Sequence, residues 1–251
     1  MTVAVKVRSK DIDVFAPFNA EALTAFVKLA SSDILTPWRK GSLARALAAP
    51  APTNKDEDFK YVNFRLLDFS GLKPEHFQIV GNDNGIPATV QMIGSKKIAK
   101  LPERLTLPTG NTPDHADVFF GSFEDAAMML PEELAVSLDF FNTHFPARKF
   151  AHLAHAFLSQ GVYLHVCRNG SLETSRQIYT LTGGNKTMTS LASMVVLEDN
   201  ARAKLVWDAI ATVDATGFQN GTLDIMLKPG SKLSLLLNQE YSEQLSSAMT
   251  L

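Results

Sequence analysis

A sequence repeat with a spacing of 30 residues constrains the fold of this chain most strongly. The segments VYLHVCRNGSLE, ASMVVLEDNARA and TLDIMLKPGSKL begin at Val162, Ala192 and Thr222. Each contains six strand-like residues, a short turn and the start of a second strand. Repeats of this length are typical of solenoids, in which each unit buries its apolar face against the next.

The second strands of the second and third repeats alternate between apolar and polar residues. The apolar positions are Ala203, Leu205, Trp207 and Ala209 in one repeat and Leu233, Leu235 and Leu237 in the next. Alternation with a period of two predicts strands with one buried face. A shift of 30 places Leu205 over Leu235 and Trp207 over Leu237, so Trp207 is predicted to fill the core. We therefore expect a mainly β fold with an α-helical N-terminal part, and a right-handed β-helix (β-solenoid) core.

The turns and the first repeat refine this expectation. The turn centres are predicted at Gly170, Asn200 and Gly230, because a left-handed backbone position favours glycine or asparagine. In the first repeat Glu173, Ser175 and Gln177 occupy the positions that are apolar elsewhere. This departure predicts a β-bulge or an atypical terminal coil.

Helical spacing of apolar residues recurs before the repeats. It predicts helices over 18–30 with Asn19 as the N-cap, from Thr36 and Pro37 onward, over 131–145, and over 148–160 with Gly161 as the terminating residue. Asn84 and Gly85 predict a hairpin or a β-strand entry into the sheet region. The predicted organisation is an α-helical or mixed region at 1–160 and incomplete β-helix coils at 161–251.

Charge and cysteine content limit the partners and the compartment. The 24 basic and 26 acidic residues are mixed along the chain, so neither nucleic acid nor a membrane surface is a predicted partner. Cys167 is the sole cysteine, which is typical of a reducing compartment. The sequence shows no signal-peptide pattern and no run of 18 apolar residues. We expect a soluble cytoplasmic protein.

Two pairs of residues are candidate metal ligands. His165 and Cys167 are two apart in a strand, so their side chains are predicted on one face at roughly 7 Å. The alternative is that Cys167 is a small core residue, and the two patterns disagree on whether it faces inward or outward. His152 and His155 lie three apart on a helix, where a solvated or locally hydrogen-bonded pair is favoured over metal ligation.

The sequence contains none of the common catalytic motifs for phosphate binding, serine hydrolysis or zinc proteolysis. A β-helix carbohydrate-active or carbohydrate-binding protein is the alternative class. Such an enzyme gathers carboxylates on one outer face. The outward positions here are mixed in sign: Arg202, Lys204, Asp208, Lys232 and Asn238. These positions form no carboxylate pair, which weighs against the carbohydrate-active class.

Three blocks of the sequence resemble the SufB/SufD family of the SUF iron–sulfur cluster assembly system, and in particular its SufD branch. The first is TPWRKGSLARAL followed by NKDEDFKYVNFRLLDF. The second, FAHLAHAFLSQGVYLHV, is similar to the family's entry into the β-helix. The third, VVLEDNARAKLV, is similar to the Glu-Asn turn of its coils.

This resemblance implies a non-catalytic scaffold subunit that pairs with SufB through the β-helices and binds the ATPase SufC through C-terminal helices. It implies no stably bound cofactor in this chain, with iron or an iron–sulfur cluster present only in the assembled complex. Family members are usually much longer, so the SufC-binding helices are expected beyond Leu251. An uncapped edge at 233–241 is expected to bind a missing continuation, a SufB-like partner or a second copy of the chain.

Overall fold

A computed structural model describes residues 15–28, 34–53, 55–56, 60, 69–74, 117–144, 148–182, 185–211 and 215–250. Within these ranges the helices are α1 (Ala20–Val27), α2 (Thr36–Ala48), α3 (Phe123–Met129), α4 (Pro131–His144) and α5 (Lys149–Ala156). The strands are β1 (Lys73–Pro74), β2 (Val118–Gly121), β3 (Leu158–Gln160), β4 (Tyr163–Val166), β5 (Ser171–Thr182), β6 (Thr187–Leu197), β7 (Arg202–Ala211), β8 (Gly217–Leu227), β9 (Lys232–Glu240) and β10 (Leu245–Thr250). No helix in the described part of the chain is long and apolar enough to cross a membrane.

The first two helices begin close to where the sequence predicts them. Asn19 caps α1, because its side-chain oxygen accepts a hydrogen bond of 2.9 Å from the backbone N–H of Ala22. In α2 the N-cap is Leu35, which makes no side-chain capping bond, so the prediction of Thr36 as the cap is wrong by one residue. Pro37 lies in the first turn, where its missing N–H is tolerated.

The two helices before the repeats agree with the sequence at their starts and differ at one end. α4 agrees with the predicted 131–145 helix to within one residue. α5 ends at Ala156 rather than at residue 160, because the following residues form β3 beside β6. Gly161 therefore does not terminate the helix. It lies against β6, where an added Cβ would overlap the backbone carbonyl of Ala192.

The strands form two sheets with mainly parallel pairing. The larger sheet has the order β10-β8-β6-β4-β2, with β1 and β3 also paired to β6, and the smaller has the order β5-β7-β9. Of these pairs, only β2–β4 is antiparallel. The 30-residue spacing is confirmed, since Leu205 pairs with Leu235 and Trp207 with Leu237. The parallel pairing does not by itself close the two sheets into a β-helix, so the β-helix stays a prediction.

The first repeat is irregular, as predicted. The register between β5 and β7 shifts between Leu172 and Arg176, which confirms a β-bulge or irregularity there. Left-handed backbone conformations occur at Asn169, Asn200 and Gly230, with φ values of 61°, 59° and 74°. The first turn therefore places the left-handed position one residue before the predicted Gly170.

The larger sheet lies between the smaller sheet and the helices. One apolar cluster fills the space between the two sheets and contains Trp207, which is fully buried, as predicted. Two further clusters pack the other face of the larger sheet against α1, α2 and α5 and against α3 and α4. Because β1, β2 and β3 join the same sheet as the repeats, the boundary at residue 160 stays a prediction. The predicted hairpin at Asn84 and Gly85 lies outside the described residues.

Candidate functional site: the open strand edge

β9 forms the terminal edge of the smaller sheet within the described residues. Its inward residues Leu233, Leu235 and Leu237 pack against the cluster between the sheets but stay only partly buried. Leu236 points the other way and is 61% exposed. A terminal strand presents a row of unpaired backbone N–H and C=O groups to any further strand. The predicted edge at 233–241 therefore corresponds to β9.

Within the described residues, β10 forms the matching edge of the larger sheet, which no sequence pattern predicted. It pairs in parallel with β8 through Leu245↔Gly217 to Thr250↔Thr222. Its residues are exposed or half-buried, and Met249 packs against the cluster between the sheets. With β9, this strand forms the open end of the molecule, a name used below for β9, β10 and the apolar side chains between them.

The turns after the strands of the larger sheet carry a cluster of charged groups. Glu198 accepts a hydrogen bond of 2.5 Å from the ammonium group of Lys228, and its other oxygen lies 3.4 Å from Nε2 of His165. Burial raises the pKa of Glu198, but the hydrogen bonds to Lys228 and His165 outweigh it and lower the pKa below its ordinary value. Consecutive repeats are thus joined by the ion pair between Lys228 and Glu198 and by the contact of Glu198 with His165.

Cys167 lies directly after β4, in the first of these turns. Its backbone N–H donates to the carbonyl of Asp117 at 2.8 Å, and its thiol is free and half-buried. Burial raises the pKa of the Cys167 thiol, and the negative charges of Asp117 and Glu198 raise it further. A raised pKa reduces the thiolate fraction at neutral pH, and the thiolate is the form that attacks electrophiles and binds metals.

The structure places the two candidate ligands in different surroundings. His165 is largely buried beside Glu198, whereas Cys167 is half-buried in the turn. In the described ranges, no three His, Cys, Asp or Glu side chains are grouped as a metal site requires. Metal binding by Cys167 and His165 stays a prediction.

The other histidine pair is buried, so the solvated alternative of the two that the sequence favoured is wrong. His152 and His155 are 3% and 4% exposed on α5, which is buried along its whole length. Nε2 of His155 lies 2.9 Å from the carboxylate of Asp224 on β8. The sequence analysis missed Asp224, although an acidic residue inside the apolar strand TLDIML was a signal that it needed a buried partner.

No family model matches this chain, and no curated protein matches it. Function is therefore inferred from the residues and contacts of the chain itself.

Proposed function

We propose that this chain is an interaction scaffold whose function lies in protein contacts at the open end. The observation that carries this proposal is the incomplete burial of Leu233, Leu235 and Leu237, whose counterparts on β7 are almost fully buried. Apolar side chains next to unpaired strand groups are the surface on which another strand or subunit packs. Such a surface needs no catalytic group.

Within that class, the sequence resemblance supports a SufD-like subunit of iron–sulfur cluster assembly with a right-handed β-helix core. Blocks that carry the resemblance contact each other. Trp38 of the first block packs its ring 5.2 Å from that of His155 in the second. Arg39 is 1% exposed, and its guanidinium donates to the carbonyl of Leu158 at 2.9 Å. Because a buried cation needs fixed acceptors, these contacts give the two blocks a shared structural role.

The proposed partners follow from the same surface. A SufB-like protein would continue the sheets beyond β9 and β10, and a second copy of this chain is the alternative occupant. A SufC-like ATPase would join the complex rather than bind at this end. Iron or a cluster would be held by the assembled complex, with no stably bound cofactor in the isolated chain.

The test is co-purification of the chain with SufB and SufC homologues, using two adjacent leucines as a matched pair. Leu235→Lys places a charge on the inward, half-buried side of β9, whereas Leu236→Lys places it on the outward, exposed side. An inward charge at a strand edge opposes pairing with a further strand. We expect Leu235→Lys to abolish co-purification and Leu236→Lys to retain it.

Size measurement of the same samples separates the two occupants. A heteromeric complex with the SufB homologue supports the SufD-like function, and a homodimer sensitive to Leu235→Lys supports self-association at the same surface. Cleavage or binding of polysaccharide without any association would overturn the scaffold proposal in favour of a carbohydrate-active protein. Equal behaviour of the two lysine variants would show that the open end is not the contact surface.

A further inference from the structure

A buried carboxylate joins the helices to the larger sheet. Asp224 on β8 is 3% exposed. One of its oxygens lies 2.9 Å from Nε2 of His155, and the other lies 3.7 Å from the guanidinium of Arg148. The hydroxyl of Thr222 lies 3.4 Å from the second oxygen. A carboxylate removed from water is stable only where cations or donors surround it, so Asp224 depends on these contacts.

Lys149, which follows Arg148 in the chain, contacts α2. The ammonium group of Lys149 donates to the carbonyls of Ala46 and Ala49 in and after α2, at 2.6 and 2.9 Å. Trp38 covers His155 from the side of α2. Lys149 therefore ties α5 to α2, whereas the contacts of Asp224 tie α5 to β8.

A second polar contact lies on the same face of β8. The amide of Asn220 donates to the carbonyl of Phe150 on α5 at 2.8 Å. Residues two and four apart in a strand share a face, so Asn220 and Asp224 both point toward α5. Asn220 is also the register partner of Ala248 in β10. The helix contacts thus lie one strand away from the edge.

We propose that Asp224, His155 and Arg148 form a buried latch that holds β8, and with it the edge strand β10, against α5. Separation of α5 from the sheet would leave a buried carboxylate without the guanidinium of Arg148 and the imidazole of His155, so we expect the helix and the two strands to open together. The latch is independent of the proposed scaffold function, because it concerns contacts within one chain. It determines how firmly the open end is held in shape.

Hydrogen exchange of the full chain, followed by mass spectrometry, tests the latch. We compare Asp224→Asn with Asp199→Asn, which removes a surface ion pair to Arg168, a side chain that is 71% exposed. Asp224→Asn is expected to speed exchange in both α5 and β10 by about tenfold or more, while Asp199→Asn leaves both segments near wild-type rates. Wild-type rates in β10 of Asp224→Asn would overturn the proposal.

Milder variants keep the test decisive if Asp224→Asn does not fold. Arg148 is 22% exposed, so Arg148→Gln removes one cation while keeping most of the packing. Faster exchange in α5 and β10 together supports the latch, and unchanged exchange overturns it. Arg148→Gln and His155→Gln can also be combined in a double-mutant cycle. If the two side chains act as one unit, amide exchange in the double variant is no faster than in the faster of the two single variants. Effects that simply multiply would show that the two side chains act separately.

Discussion

The larger sheet ends differently at β2 and at β10. β2 pairs with β4, and all four of its residues are buried. Phe119 of β2 and Phe123 of α3 pack around Tyr163, and the helices α3 and α4 cover this end. The six residues of β10 at the opposite end are half-buried or exposed. We call the β2 side the covered end.

The comparison shows that burial depends on the neighbouring strand as much as on the residue. Leu205 and Leu235 are register partners on the same face of the smaller sheet. Leu205 is 2% exposed because β9 lies beyond it, whereas Leu235 stays only partly buried. Since apolar stabilisation scales with the area removed from water, equal side chains contribute unequally at the two positions.

The largest expected effect is a difference in the loss of unfolding free energy between alanine variants of Trp207 and of its register partner Leu237. Trp207→Ala removes a fully buried ring and is expected to cost about 3–5 kcal/mol of unfolding free energy. Leu237→Ala is expected to cost about 1 kcal/mol, because part of its surface already faces water. Urea unfolding measures both. Equal costs would mean that the open end is as well packed as the interior.

A turn at the open end gives the next largest effect. Gly230 has a φ of 74°, and a Cβ added there would overlap the side-chain oxygen of Asn200. Gly230→Ala is expected to lower the unfolding free energy by about 1–2 kcal/mol, because a left-handed residue with a Cβ is strained. Lys232→Ala, an exposed change nearby, is the control. No loss in Gly230→Ala would show that this turn relaxes freely, which sharpens the contrast between the ends.

The Glu198 cluster, which connects the covered side to the open side, predicts a small pH dependence. The folded-state pKa of Glu198 is lowered from 4.5, so its contribution is present above that value and is lost as the pH falls through the folded pKa. We expect a loss of roughly 0.2–1 kcal/mol as the pH falls below about 4.5. Lys228→Met should remove most of this component in urea titrations at several pH values. If the unfolding free energy of Lys228→Met depends on pH as strongly as that of the wild type, the contact with Lys228 is not what lowers the pKa of Glu198.

The smallest effect concerns the reactivity of Cys167 near the covered end. Because its pKa is raised, the thiol should react with iodoacetamide at pH 8 more slowly than a free cysteine. Asp117→Asn removes one of the negative charges and should speed the reaction without unfolding the chain. A thiol that reacts as fast as free cysteine would show that this turn is as open as those at the other end.

Local signals in the sequence predicted much of the fold. The alternation in 203–209 and 233–237 predicted β7, β9 and their register, and Asn19 predicted the start of α1. β2 and β10 were missed, because their short segments lack clear alternation and form strands by pairing with β4 and β8. The end of α5 was misplaced for the same reason, since β6 draws residues 158–160 into the sheet.

The candidate site was predicted only in part. The edge at 233–241 was expected from the regular third repeat, but the second edge strand, β10, was not. The pairing of His155 with Asp224 joins residues 69 positions apart, and no local pattern connects them. Spacing rules detect partners along one element, whereas this contact depends on how a helix lies across a strand.

The sequence by itself determined the 30-residue repeat, the inward alternation and the left-handed turn positions Asn200 and Gly230, because these depend on residue type and local periodicity. The tertiary structure decided which described strands lie at the sheet edges, which of the leucines on β7 and β9 are covered, and which side chains surround Asp224. Those outcomes depend on contacts between distant segments, and the free energy of burying a group is set by what lies against it.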